Sequence, residues 1–369
     1  MLKQLKKKLF ARLPGATGPA VAPAEPPEPV LVNAYCTDAS VPDLDFPHAL
    51  HGQRSLPDPE LIEHLDGFLG YVQSRGDGTM TSTRYHVLRH IQRTRQHLSL
   101  SVDDSQLDAV SDWAERANAL LFLPDGDVRD PHGRVLVSAQ DGSADPDAAV
   151  PYPAEASARR AQTGTALAQL GYTVPAFLPP VIGESELRLR APQEVAGRAL
   201  ALFLVAIRAE SLATDTPLSL AELEEKIPFE LAHLSPAERT FLATAQPAGQ
   251  EVTQFAWRYE SLSLLEWALG FVDPLPFPAT LCDVPLAARN ILYREPKEFL
   301  HGATLRPDGE LLDALDLHYR LHWLVRQAQA DGKPVPDGLD ASVIQERCHA
   351  LNWLVRFEDA EWDDVDTPT

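Results

Sequence analysis

Four carboxylates and four arginines stand among tryptophans in the last third of the chain. They are Glu260, Glu266, Asp283 and Glu346 with Arg258, Arg320, Arg326 and Arg347, interleaved with Trp257, Trp323 and Trp353. A carboxylate in an apolar setting has its pKa raised and can serve as a general acid or base. Beside an arginine the shift reverses, and the pair becomes a structural counter-ion contact. An arginine left over after pairing grips a small anion. Buried charge is costly unless paired or put to use, so this set predicts either a structural ion-pair network or a site. The residue types leave both readings open and assign no catalytic role.

Two histidine pairs, His86-x3-His90 and His318-x3-His322, place imidazoles one turn apart on a helix, a spacing that suits a divalent metal. Neither has the HExxH arrangement, and Asp283 is the one carboxylate offered as a third ligand. Satisfied histidines are the default, so no metal and no cofactor is expected. A basic island, Arg84, His86, Arg89, His90, Arg93, Arg95 and His97, contains no acid between Asp77 and Asp103. It suits an anionic ligand, an RNA segment or an acidic partner, or else it neutralises the chain's own tail, Glu358 to Asp366.

The elements that must position these groups divide the chain. Residues 1–29 read as a basic tail and a Pro/Ala-rich linker. Residues 30–140 read as a small α+β domain. Its first strand is Val30–Tyr35, its helices cover 58–73 and 105–118, and a hairpin joins 119–122 to 134–137. Residues 79–102 are ambiguous, with a helical start and a strand-like alternation from His97 to Val102. Residues 141–153 read as a linker, and 154–369 as a larger, mostly α-helical domain. There Ser219-x-x-Glu222 and Ser235-x-x-Glu238 are capping-box patterns. Helices are predicted at 154–170, 193–213, 250–271, 309–330 and 340–357. The fold class is therefore α+β, a short N-terminal sheet followed by helices.

Composition narrows the classes of function. The chain has 369 residues, 44% hydrophobic and 23% charged, with a formal charge of −21. That balance is globular and argues against a surface-wide nucleic-acid footprint, leaving only the island at 84–97 for such a role. Three scattered cysteines, Cys36, Cys282 and Cys348, form no disulfide framework and suit a reducing cytoplasm. The lysine-rich start lacks the apolar run of a secretion signal, although Leu2, Leu5, Leu9 and Leu13 recur near helical spacing. No segment offers the roughly 18 uncharged apolar residues of a membrane span. Loops of the GxxxxGK[ST], GxGxxG and GxSxG types are absent, as are CxxC pairs.

The C-terminal region resembles a bacterial family catalogued as domain of unknown function 4272. The resemblance rests on Trp257-Arg258-Tyr259-Glu260, Leu265-Glu266-Trp267-Ala268-Leu269-Gly270 and Cys282-Asp283-Val284. It continues through His318-Tyr319-Arg320-Leu321-His322-Trp323, Val325-Arg326-Gln327-Ala328 and Glu346-Arg347-x-x-Ala350-Leu351-Asn352-Trp353, and closes on Trp362-Asp363-Asp364-Val365-x-Thr367. It covers residues 155–369 and implies a helical domain whose core includes the Trp/Arg/Glu set, with no activity to carry over. Two functions follow as expectations. The first is a protein-binding or adaptor module with an unknown protein partner, to which self-association would be compatible. The second is an enzyme or ligand-binding protein for a small anion, held by arginines in a pocket of the last three long helices.

Overall fold

In the computed structural model, which describes residues 28–226 and 231–368, the β-branched run after the prolines forms strand β1 (Val30–Cys36). The basic tail, and the linker up to residue 27, lie outside the described residues. Strand β1 is central in a six-stranded antiparallel sheet with β2 (Ala49–Ser55), β3 (Gln96–Val102), β4 (Ala119–Phe122), β5 (Val128–Arg129) and β6 (Val135–Val137). The order is β2-β3-β1-β4-β5-β6. Alternation along β1 splits its side chains between two faces. Val32, Ala34 and Cys36 pack with Trp113 of helix α3 (Leu107–Arg116). Tyr35 faces the opposite layer, helices α1 (Pro59–Gln73) and α2 (Ser82–Arg93), through Leu61, Phe68 and Ile91.

The ambiguous stretch 79–102 resolves into both candidates in succession: α2, capped by Thr81, and then β3. The expected hairpin is corrected. Residues 119–122 and 134–137 do not pair with each other, because β5 lies between them and pairs with both. Strand β2 has no counterpart in the sequence reading. It is an edge strand whose residues are mostly exposed, so it lacks the apolar alternation that marks a half-buried strand.

From Ala154 onward the described chain is helical. Helix α4 (Ala154–Gln169) leads to α5 (Pro192–Ala213), which is apolar on nearly every face and sits at the centre of the core. Around it lie α6 (Leu220–Lys226), α7 (Pro236–Ala243), α8 (Gly249–Ala256) and α9 (Arg258–Ala268). Both capping boxes form, at Ser219 and Ser235. The expected helix over 250–271 is two helices that meet at Trp257, which ends α8 and starts α9. The change of axis lets Phe255 stack on Phe241 while α9 buries all of its residues from Tyr259 to Ala268. Two further helices, α10 (Val284–Leu292) and α11 (Pro296–His301), precede the long α12 (Asp308–Ala330) and α13 (Ala341–Leu354). No helix among the described residues is long and apolar enough to cross a membrane.

Candidate functional site

The Trp/Arg/Glu set of the last helices is largely closed on itself. Arg258 grips Glu346 through two contacts of 2.9 and 3.1 Å, and Ser261 donates to the same carboxylate at 2.7 Å. Arg347 meets Glu260 at 3.4 Å and donates to the Pro276 carbonyl at 2.6 Å. Arg320 binds neither Glu260 nor Glu346; it clamps Asp316 one turn back on α12 at 2.6 and 2.9 Å. Trp353 carries the Arg190 guanidinium over its ring at 4.6 Å, and Trp257 is half-buried at the junction of α8 and α9.

Three members stand apart from this network. Arg326 is exposed: its neighbour Val325 faces the core, and a step of one residue turns the side chain about 100° around the helix. Trp323 is half-buried and packs edge-on against Phe177. Asp283 caps α10 by accepting from the Leu286 N–H at 3.0 Å. It is a helix cap and not a third ligand for His318 and His322, and the described residues contain no group of three metal-ligating side chains. Glu266 is the exception within the core. It is fully buried, accepts from Asn290 Nδ2 at 3.1 Å and leaves Oε1 without a partner among the described residues. Burial pushes its carboxyl up to about 8, against the smaller lowering effects of Asn290 and Arg294. The expected anion pocket of the last three helices is therefore corrected: Arg258, Arg320 and Arg347 are taken up by carboxylates and carbonyls, and Arg326 points to solvent.

The basic island turns inward. Arg84 is buried and ties the Arg75 and Thr79 carbonyls together, and His90 bonds the Tyr35 carbonyl at 3.0 Å. Arg89 pairs with Glu358 of the acidic tail at 2.8 Å and lies over the Phe357 ring. Arg93 reaches Glu186 with contacts of 3.1 and 3.2 Å, and Arg95 donates to the Glu186 carbonyl.

These last three arginines line a cleft of about 540 Å³ between the sheet region and the helices. That is room for a small organic molecule, whose sites span roughly 300–1,000 Å³. One wall is α1 and α2, with Leu65, Leu69 and Ile91. The other is the bend at Pro179–Ile182, the stretch from Glu186 to Arg188, Leu315 and Tyr319 of α12, and the turn Val355–Asp359. Five arginines line it (Arg89, Arg93, Arg95, Arg188 and Arg356) with four carboxylates (Asp66, Glu186, Glu358 and Asp359), and four of the arginines are ion-paired: Arg89 with Glu358, Arg93 with Glu186, Arg188 with Asp359 and Arg356 with Glu194. Two donors on its lining are buried yet have no partner among the described residues, Arg93 Nη2 and Tyr152 Oη. The two side chains are in contact, the Arg93 guanidinium lying over the Tyr152 ring at 5.0 Å from its centre. Burial pushes the Tyr152 phenol up to about 12, so at neutral pH it keeps its proton and can donate.

Sequence reasoning singled out Arg89, Arg93 and Arg95 but not Tyr152, Glu186, Arg188 or Arg356. No spacing rule joins residues so far apart along the chain; only the packing of α2 on the proline bend brings them together.

A family model described as Domain of unknown function (DUF4272) matches residues 159–365, more than half of the chain. The chain belongs to this family. No curated protein matches the chain, and no solved structure does. The DUF4272 span contains the whole Trp/Arg/Glu set and the helical wall of the cleft, from Glu186 to Asp359. The facing wall, with Arg89, Arg93, Arg95 and Tyr152, precedes the DUF4272 span.

Proposed function

We propose that the chain is a binding protein for a small molecule with an apolar body and one acidic group, held in the cleft between the sheet region and the helices. The observation that carries this reading is that two buried donors, Arg93 Nη2 and Tyr152 Oη, stand without a partner among the described residues on a largely apolar lining. A buried polar group without a partner costs on the order of 1–3 kcal/mol, and an oxygen acceptor supplied by a ligand recovers that cost. A carboxylate or phosphate offers several acceptor oxygens to the two donors, and the charged guanidinium among them favours the anion over a neutral acceptor.

The test is a thermal-denaturation screen of aromatic and aliphatic carboxylates and phosphates beside their neutral amides and alcohols. Acids are expected to raise Tm and the neutral analogues to leave it unchanged. In Tyr152→Phe, which loses a hydroxyl with no protein partner, the ligand-free Tm should stay within about 2 °C while the response to acids shrinks. Equal responses in wild type and variant, or no response to any acid, would overturn the reading.

A second reading, a protein-binding module, draws on α10 and the loop before it, where Leu281, Leu286, Leu292 and Tyr293 are all exposed, Tyr293 by 84%. Leu292→Ser with Tyr293→Ser separates the two, since it should abolish capture of a protein partner and leave the response to acids intact.

A further inference from the structure

His318 and His322 are nearly fully buried, 1% and 4% exposed, and both face a chamber of about 10 Å³ beside α12. The chamber shares Leu315, Tyr319, Asn352 and Pro368 with the lining of the large cleft, so it lies directly beside that cleft. The hydrogen bonding of each ring fixes which nitrogen is left over. His318 Nδ1 lies 2.8 Å from the Ala314 carbonyl, an acceptor only, so Nδ1 carries the proton and Nε2 the lone pair. Nε2 of His318 has no partner among the described residues. His322 bonds the Thr367 backbone in a contact that favours the charged ring, so the ring donates there, and its buried Nδ1, without a partner among the described residues, keeps the lone pair. The Cys348 thiol, also on the lining, donates to the His318 carbonyl at 3.3 Å, and Asn352 Nδ2 donates to the Asp366 carbonyl at 2.8 Å. Neither these groups nor the hydroxyls of Tyr319 and Thr367, also on the lining, bond the two free imidazole nitrogens. Burial, with Arg347 beside His318 and Arg326 beside His322, holds both rings below the usual histidine range, and the neutral ring is the form that offers a lone pair.

Two histidines that line a space of about one heavy atom and each keep an unpartnered acceptor nitrogen call for a hydrogen-bond donor. We propose that this chamber is the donor-recognising end of the cleft, so that the ligand carries a hydroxyl or amino group for His318 and His322 as well as an acid group for Arg93 and Tyr152. The inference rests on the cleft reading and adds the second recognition element. It excludes plain fatty or aromatic acids as the preferred ligands and favours hydroxy or amino acids with an apolar middle.

The experiment pairs phenylacetate and 3-phenylpropanoate with their 4-hydroxy counterparts, with p-cresol as the neutral control, in calorimetric titrations of the full chain. The hydroxy acids are expected to bind about tenfold more tightly than the plain acids, because only they satisfy the imidazoles. That advantage should vanish in His322→Phe while the plain acids bind as before. Since a core variant can fail to fold, the wild type labelled with 15N at histidine gives a second readout: the His318 Nε2 resonance should move upfield with a hydroxy acid and stay put with the plain acid. Equal affinities with no movement of that resonance overturn the donor assignment and leave the cleft reading standing. If none of the four acids binds, the cleft reading falls and takes this one with it.

Discussion

Arg93, at the end of α2, and Glu186, beyond the proline bend, meet at the cleft, where Arg93 Nη1 straddles both carboxylate oxygens at 3.1 and 3.2 Å. Glu186 is 2% exposed, and its Oε2 also accepts from the Gly183 N–H at 2.7 Å. One ion pair therefore fastens the sheet region to the helical region at the point where the unpartnered donors gather.

Removing one side of that pair strands a buried carboxylate. Arg93→Met is expected to lower unfolding stability by about 3 kcal/mol, and a double change with Glu186→Leu to recover part of the loss. Urea denaturation of the two single variants and the double variant measures the coupling. Additive losses would show that the two side chains do not act together.

Arg320 and Asp316, 1% and 0% exposed, form the most secluded bidentate pair on α12. Arg320→Lys keeps the charge but loses the fork, and should cost about 2 kcal/mol with no change in affinity for acids. A loss of binding with unchanged stability would instead place Arg320 in the ligand site.

Glu266 makes stability depend on pH. Its folded pKa lies at about 8, above the unfolded carboxylate range, so its penalty is absent below the unfolded value. The penalty grows as pH rises from the unfolded value towards about 8, because the unfolded carboxyl ionises there while the buried one keeps its proton, and it levels off above that. Glu266→Gln should match the wild type near pH 5 and exceed it by on the order of 2–4 kcal/mol above pH 9. Denaturation midpoints across that interval decide the matter; parallel curves for the two proteins would contradict the burial argument.

Local signals in the sequence carried the fold well wherever burial and capping agreed. Asp58 before Pro59, and the period of Leu61, Leu65 and Phe68, fix α1 to within a residue. The all-apolar run through Leu202 and Phe203 marks the central helix α5. Strand β2 escaped because an exposed edge needs no apolar pattern, and the break at Trp257 escaped because both flanking segments are good helix formers. The site was harder to read. Arg258, Glu346, Arg347 and Glu260 do come together, as the spacing of charges on apolar helices suggests. Yet their mutual pairing leaves no cation over for a ligand. The cleft draws instead on Arg93, Tyr152, Glu186 and Glu358, whose meeting depends on tertiary packing. His318 and His322 were visible as a pair, but reading them as acceptors depends on the Ala314 carbonyl at His318 and the Thr367 backbone at His322, which no spacing in the sequence reveals.

Hydrogen–deuterium exchange of the full chain with and without saturating 3-(4-hydroxyphenyl)propanoate tests the location of the site most directly. Protection is expected in the segments that line the cleft, at residues 89–95, around Tyr152, at 186–188 and at 355–359. Protection confined to α10 and the loop before it, or to segments outside the cleft, would contradict the assignment of this cleft as the binding site.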